Sequence, residues 1–290
     1  MEILLVSDGS TTARKNAQIL SQFQFPEGAV YVVVRVGEEQ RRKKGGAHDL
    51  TGLQQALDRM ECSYQVLSHK VADDEALLSL INERGSDLVV DLRKRQRGTA
   101  FRFGQISSKL AQEIETTLLL AHPAPAALKK ILLCSGGEVP SEITIRVAAN
   151  WLKYTSAAVH LLHVMSQVAL DVAHPSEDLT IDARDAIEFD TREGVHLKRG
   201  IQWLRDAGIH GEVVPVLRHG LVLDEIMAEL EEGNYDMVVV GAHIRGKSRL
   251  LNLLLEDITD KLITRIRTPF LIARINPSDH VQQSFEAGAK

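Results

Sequence analysis

Ile3-Leu4-Leu5-Val6-Ser7-Asp8-Gly9-Ser10 is a short apolar run that breaks into Asp-Gly-Ser, and an altered version returns as Ile131-Leu132-Leu133-Cys134-Ser135-Gly136-Gly137. Further along, Asp87-Leu88-Val89-Val90-Asp91 matches Asp236-Met237-Val238-Val239-Val240-Gly241. Lys109-Leu110, Ile114, Thr116 and Leu118-Leu119-Leu120-Ala121 match Lys261-Leu262, Ile266, Thr268 and Phe270-Leu271-Ile272-Ala273. One unit is therefore written twice, and each residue can be compared with its counterpart in the other copy. The offset grows from 128 residues at the first strand to 152 at the last helix, mostly between residues 165 and 210. Two domains follow, at 1–124 and 128–275, with His122-Pro123-Ala124-Pro125-Ala126-Ala127 as linker and 276–290 as a polar tail.

Apolar runs such as Val30-Tyr31-Val32-Val33-Val34 suit strands buried on both faces, and they alternate with helical patterns. Copy one predicts strands at 2–7, 29–36, 63–69, 87–91 and 117–121, with helices at 10–22, 50–60, 73–84 and 104–115. Copy two predicts strands at 129–134, 157–164, 211–217, 235–240 and 269–274, with helices at 140–154, about 180–208, 221–231 and 256–266. Strand–helix alternation implies an α/β fold, a parallel sheet with helices on both faces.

The chain is 44% hydrophobic and 25% charged, the composition of an ordinary soluble protein. Residues 1–127 hold 16 Lys+Arg and 16 Asp+Glu and the remainder 18 and 23, so neither half is basic and no nucleic-acid partner is expected. The run Arg41-Arg42-Lys43-Lys44 reads as a solvated loop, since no aromatic residue interleaves with it to stack bases. No apolar run is long enough to span a bilayer, and Met1 leads almost directly into a strand, so neither membrane nor leader is expected. Cys62 and Cys134 lie in separate copies and form no CxxC pair, which fits a reduced, cytoplasmic setting.

A strand running into Asp-Gly-Ser and then a helix, as at Val6-Ser7-Asp8-Gly9-Ser10, resembles the opening of a universal stress protein domain. The second copy adds Val238-Val239-Val240-Gly241-Ala242-His243, then Gly246, a leucine run and Asp257-Ile258-Thr259-Asp260-Lys261-Leu262. His163-Val164 is similar to the end of the family's second strand. The resemblance covers residues 1–275 and implies two tandem Rossmann-like domains, each a five-stranded parallel sheet of order 3-2-1-4-5. It also implies pairing through the last strand, hence an intrachain pseudo-dimer, with a homodimer as a further expectation and a protein client as partner.

Nucleotide-binding members carry a loop reading Gly-x2-Gly-x9-Gly-Ser/Thr. Glycines let the backbone approach phosphate oxygens, and a helix N-terminus presents free N–H groups. In copy one the resemblance places the candidate site at Asp8, Gly9, Ser10, Lys94, Gly104 and Gln105. Asp91 and Lys94 stand where the first two glycines belong, and Gln105 replaces the hydroxyl residue. Arg93, Lys94, Arg95, Arg97 and Arg102 supply cations, so weak binding of ATP, ADP or AMP stays open there. In copy two the counterparts are Gly241, Gly246, Lys247 and Ser248, with four residues between the glycines. Glu256 and Asp257 replace the Gly-Ser/Thr pair and Gly136 replaces the ribose aspartate, so this site is expected not to work. Asp8 and Ser10 have an alternative reading as helix caps.

The other chemistries are weaker. Ser135-Gly136-Gly137-Glu138 resembles the ATP pyrophosphatase loop, but Val139-Pro140-Ser141 follows where that loop has Asp-Ser. His160 and His163 fall on opposite faces of a strand, and His174, His196, His210 and His219 lie in separate segments. No catalytic residue, no metal site and no resident cofactor is expected. The reading is a non-catalytic stress-response or regulatory protein with degenerate nucleotide sites. The alternative is a nucleotide-binding switch using domain 1, with slow ATP hydrolysis left open.

Overall fold

The computed structural model describes residues 1–35, 50–67, 71, 74–93, 113–135, 140–166, 181–243, 258–259 and 261–275. It divides into two compact units, Met1–Ala127 with Ile244–Arg274, and Leu128–His243 with Ile275–Lys290. Each is an α/β unit built on parallel strands, as the alternation of patterns predicts.

The first unit runs β1 (Glu2–Ser7), α1 (Thr11–Asn16), β2 (Val30–Arg35), α2 (Thr51–Arg59), β3 (Ser63–Val66), α3 (Asp74–Arg84), β4 (Leu88–Asp91) and β5 (Thr117–Leu120). Its strands lie in the order β3-β2-β1-β4-β5 and are mutually parallel. Ile3, Leu4, Leu5 and Val6 are fully buried, because β1 is central and helices and strands cover it on every side. β3 alternates exposed and half-buried positions, as befits an outer strand. The predicted helix 10–22 is α1 followed by a tighter 3-10 turn over Ala17–Gln22. Of the predicted helix 104–115 only residues 113–115 fall within the described residues, and of the predicted helix 256–266 only 258–259 and 261–266.

One strand departs from a purely parallel arrangement. β10 (Phe270–Ile275) pairs antiparallel with β5, Phe270 opposite Leu120 and Ile272 opposite Leu118. Arg274 N also donates to Thr117 Oγ1 at 3.2 Å. β5 is buried at every position, so its apolar flank needs a neighbour, and Phe270, Leu271, Ile272 and Ala273 supply one. The first unit thus contains a strand from the end of the chain.

The second unit runs β6 (Lys130–Ser135), α4 (Pro140–Leu152), β7 (Ala158–Ser166), α5 (Ala183–Glu188), α6 (Arg192–Asp206), β8 (Val213–Gly220), α7 (Val222–Gly233) and β9 (Met237–His243). Its own strands lie in the order β9-β6-β7-β8, all parallel. Pro215 sits in β8, an outer position where a missing N–H is tolerated. The single helix predicted at 180–208 is two helices. Asp190 has φ 50, and Thr191 starts a new helix by accepting from Gly194 N at 3.1 Å. Asp182 caps α5 in the same way, through Asp185 N at 2.9 Å. A β-carbon on Gly194 would lie 1.8 Å from the Ala186 carbonyl oxygen, so a glycine is what lets α5 and α6 meet.

Candidate functional site

In doubly wound sheets ligands lie at the carboxyl ends of the central strands, so those ends are the place to look. At the end of β1, Gly9 N donates to Ser7 Oγ at 3.1 Å and Ser10 N donates to Asp8 Oδ1 at 3.0 Å. Ser10 Oγ accepts from Ala13 N at 3.1 Å and caps α1, and Gly9 takes φ 72 to make the turn. Asp8 and Ser10 therefore perform the local work that the capping reading assigns them. That work is compatible with a ribose contact but does not require one.

Asp91, at the end of β4, lies beside Val6 of β1. Its carboxylate accepts from Arg93 N at 3.0 Å, from Arg93 Nε at 2.9 Å and from Arg93 Nη2 at 2.6 Å. Both side chains are 4% exposed. This alters two expectations. The Asp91 charge does not stand open against a phosphate, and Arg93 is already committed instead of serving as a free loop cation. Asn16 Nδ2 donates to Leu92 O at 2.8 Å and fixes the backbone between them. Lys94, Gly104 and Gln105 lie outside the described residues, as do Arg95, Arg97 and Arg102.

In the second unit Gly241 stands in β9. A β-carbon there would fall 2.2 Å from Thr144 Oγ1 and 2.4 Å from Thr144 Cγ2. The close approach of α4 thus accounts for this glycine without a phosphate. Gly246, Lys247, Ser248, Glu256, Asp257 and Gly136 lie outside the described residues.

The end of β6 holds a group that sequence spacing does not reveal. Ser135 Oγ donates to Leu162 O at 3.1 Å and lies 3.1 Å from His196 Nε2. A hydroxyl has one proton, and it points at the carbonyl, so His196 carries its proton on Nε2 and donates to Ser135. An imidazole in that role cannot act as base toward the serine. The His196 ring lies 4.9 Å from that of His163, and His219 Nε2 donates to Ile181 O at 2.9 Å. Burial holds His163 below the usual imidazole range, with Arg192 and His219 adding to it and a Ser135 backbone hydrogen bond opposing. Burial, then the neighbouring His163, pushes His196 down to about 4, against the pull of Glu193. His196 sits 61 residues from Ser135, so only the fold could join them.

The opposite face carries a second polar group. Glu229, 8% exposed, accepts from Arg218 Nε at 2.7 Å and from the Tyr235 hydroxyl. Tyr235 also meets His160 Nδ1 at 3.2 Å, while Arg218 reaches Glu232. Lys130 Nζ lies 4.5 Å from the Tyr235 ring centroid and donates to Gly233 O at 2.8 Å. His160 and His163 do face opposite ways, one toward Tyr235 and the other toward α6. Burial and the Glu229 charge raise the Tyr235 hydroxyl and push the Cys134 thiol up to about 12, so neither ionises near neutrality. The network fastens α7 to the sheet. Among the described residues no group of three or more His, Cys, Asp or Glu side chains is arranged to hold a metal ion. No described helix is long and apolar enough to cross a membrane.

The model of the Universal stress protein family matches residues 127–274. No curated protein matches the chain at a significant level. A universal stress protein of Archaeoglobus fulgidus DSM 4304 superposes over 94% of this chain and 98% of its own, with a TM-score of 0.63 and 16% identity. A functionally unknown protein of Pseudomonas aeruginosa PAO1 covers 99% of this chain and 95% of its own, at a TM-score of 0.60 and 14% identity. A universal stress protein in complex with cAMP covers 51% of this chain and 98% of its own, at a TM-score of 0.37 and 15% identity.

Proposed function

The chain belongs to the universal stress protein family, and on that premise we propose that it is a tandem member acting as a non-catalytic regulatory protein. Its work is self-association and the binding of a protein client, in the cytoplasm, where Cys62 and Cys134 stay reduced. The internal repeat supports the tandem reading, as does a fold match that spans 94% of the chain. Self-association follows the family resemblance, which implies pairing through the last strand.

One observation carries the degenerate-site reading. At the strand ends where a phosphate loop would work, the described polar groups already satisfy one another: Asp91 with Arg93, and Ser135 with His196 and Leu162 O. Opening the first pair for a ligand would leave a buried charge uncompensated, which is costly. In copy two, the resemblance aligns Glu256 and Asp257, two like charges, with the Gly-Ser/Thr pair of the nucleotide-binding members.

A second reading has one favourable observation. Because Arg93 neutralises Asp91, copy one loses the carboxylate that would have repelled a nucleotide, and Asp8 remains at the end of β1. Calorimetric titration with ATP, ADP and AMP separates the readings. The degenerate-site reading expects no micromolar heat for ATP. Micromolar binding abolished by Asp8→Ala would favour the switch in copy one. Micromolar ATP binding that survives Asp8→Ala and disappears with Gly246→Val would overturn the assignment for copy two.

A further inference from the structure

The connection that lengthens the second copy is held to its sheet by histidines. His219, on β8, donates to Ile181 O just before α5. His196, in the first turns of α6, donates to Ser135 at the end of β6 and lies over His163 of β7. The apolar hold of the intervening stretch is slight. α5 buries Ala186 alone, and Phe189 at its end is 71% exposed. The body of α6 is different: Leu197, Gly200 and Leu204 are buried, and a β-carbon on Gly200 would lie 2.6 Å from Leu161 Cδ2. A helix with one buried face thus continues from a segment that buries little apolar surface.

We propose that residues 181–196 form an acid-released strap: protonation of the His163–His196 pair frees α5 and the first turn of α6 from the carboxyl ends of β6 and β7, while the rest of α6 stays docked.

The physical case rests on what surrounds the pair. His163 is 5% exposed, and its Nδ1 has no hydrogen-bond partner among the described residues, so a second ring proton would have no acceptor there. His196 lies 4.9 Å from it, and two imidazolium ions at that distance repel in a site poor in water. The other charges nearby do not cancel this. Arg192 on α6 and His219 on β8 oppose a charge on His163, and only Glu193 favours one on His196. From α4, Arg146 is paired with Glu142 at 3.0 Å and stacks over Trp203, two turns further along α6. The charged residues of α5, Arg184, Asp185 and Glu188, are solvent-exposed.

The direction follows from proton linkage. The docked form keeps His196 neutral down to about pH 4, whereas a released imidazole binds its proton near its ordinary value of about 6.5. Docking is therefore fully favoured above about pH 6.5 and is lost progressively as pH falls toward 4. Release moves residues from the strand ends where a doubly wound sheet meets its ligands, so acidification would uncover that edge.

Amide hydrogen exchange, expressed as protection factors so that the intrinsic pH dependence divides out, tests the strap on the intact chain. Between pH 7 and pH 5, amides of 183–196 should lose protection on the order of tenfold, while those of 200–206 keep theirs. His196→Gln retains a donor for Ser135 and cannot be protonated, so it should abolish most of that loss. In the unaltered protein, NMR should show His163 and His196 gaining protons in the same transition that releases 183–196. This second measurement stands even if the variant folds poorly. Unchanged protection at pH 5, equal loss throughout α6, or imidazole titration with no change in 183–196 would each overturn the proposal.

Discussion

Asp91 and Arg93 form an ion pair with both side chains almost wholly out of water. Such a pair contributes little net stability against a packed apolar pair, but removing one member leaves a charge stranded. Arg93→Met is expected to lower unfolding free energy by about 3–5 kcal/mol in urea titration at pH 7. The double variant Asp91→Leu/Arg93→Met should recover most of that loss. If the double variant is no more stable than the single one, the pair is not the stabilising unit described. Gly241→Ala should also destabilise, by about 1–3 kcal/mol, through collision with Thr144 and with no nucleotide present. An undiminished melting temperature would return Gly241 to the list of residues kept for a ligand. The candidate site was only partly legible at this scale. Asp8 and Ser10 could be placed because a strand-to-helix turn has a local signature. The Ser135–His196 contact has none, since it joins a strand end to a helix 61 residues away. Asp91 and Arg93 are only two positions apart in sequence, but nothing in the spacing tells that Arg93 folds back instead of facing solvent.

At the level of elements, most strands were readable because an apolar run buried on both faces has few other readings, as at Ile131-Leu132-Leu133. The division of 180–208 was not, because neither Pro nor Gly interrupts residues 181–193. The signals were subtler: Asp182 and Thr191 each supply a helix-starting side chain. Gly194→Ala would drive a methyl group into the Ala186 carbonyl. Expected are a loss of roughly 1–3 kcal/mol and disorder confined to α5 and its junction with α6, read as local loss of amide protection. Protection lost equally in β6 and β9 would mean that the α5–α6 junction is integral to the core of its unit. The last strand was predicted as an element in the right place. Its antiparallel partner follows from the need of β5 for cover, which no local pattern encodes.

At the scale of the whole molecule, β10 contributes Phe270, Leu271 and Ile272 to the first unit, all essentially buried. Phe270→Ala should cost about 3–5 kcal/mol, measured by chemical unfolding. A chain ending at residue 257 should expose the β5 flank and self-associate, visible by size-exclusion chromatography with light scattering. A truncated chain that stays monomeric with an unchanged melting temperature would remove β10 from the stabilising core. The same strand ties folding to the order of synthesis. Roughly 150 residues separate Ala127 from Arg274, and at about 5–20 residues per second their translation takes on the order of 10 s. Throughout that interval the amino-terminal sheet lacks its closing strand, and its apolar rim is offered to whatever binds nascent chains. Ribosome-arrested chains of 200 residues should therefore leave segment 1–127 open to protease, and full-length released chains should not. The first half of this polypeptide is made early and completed last.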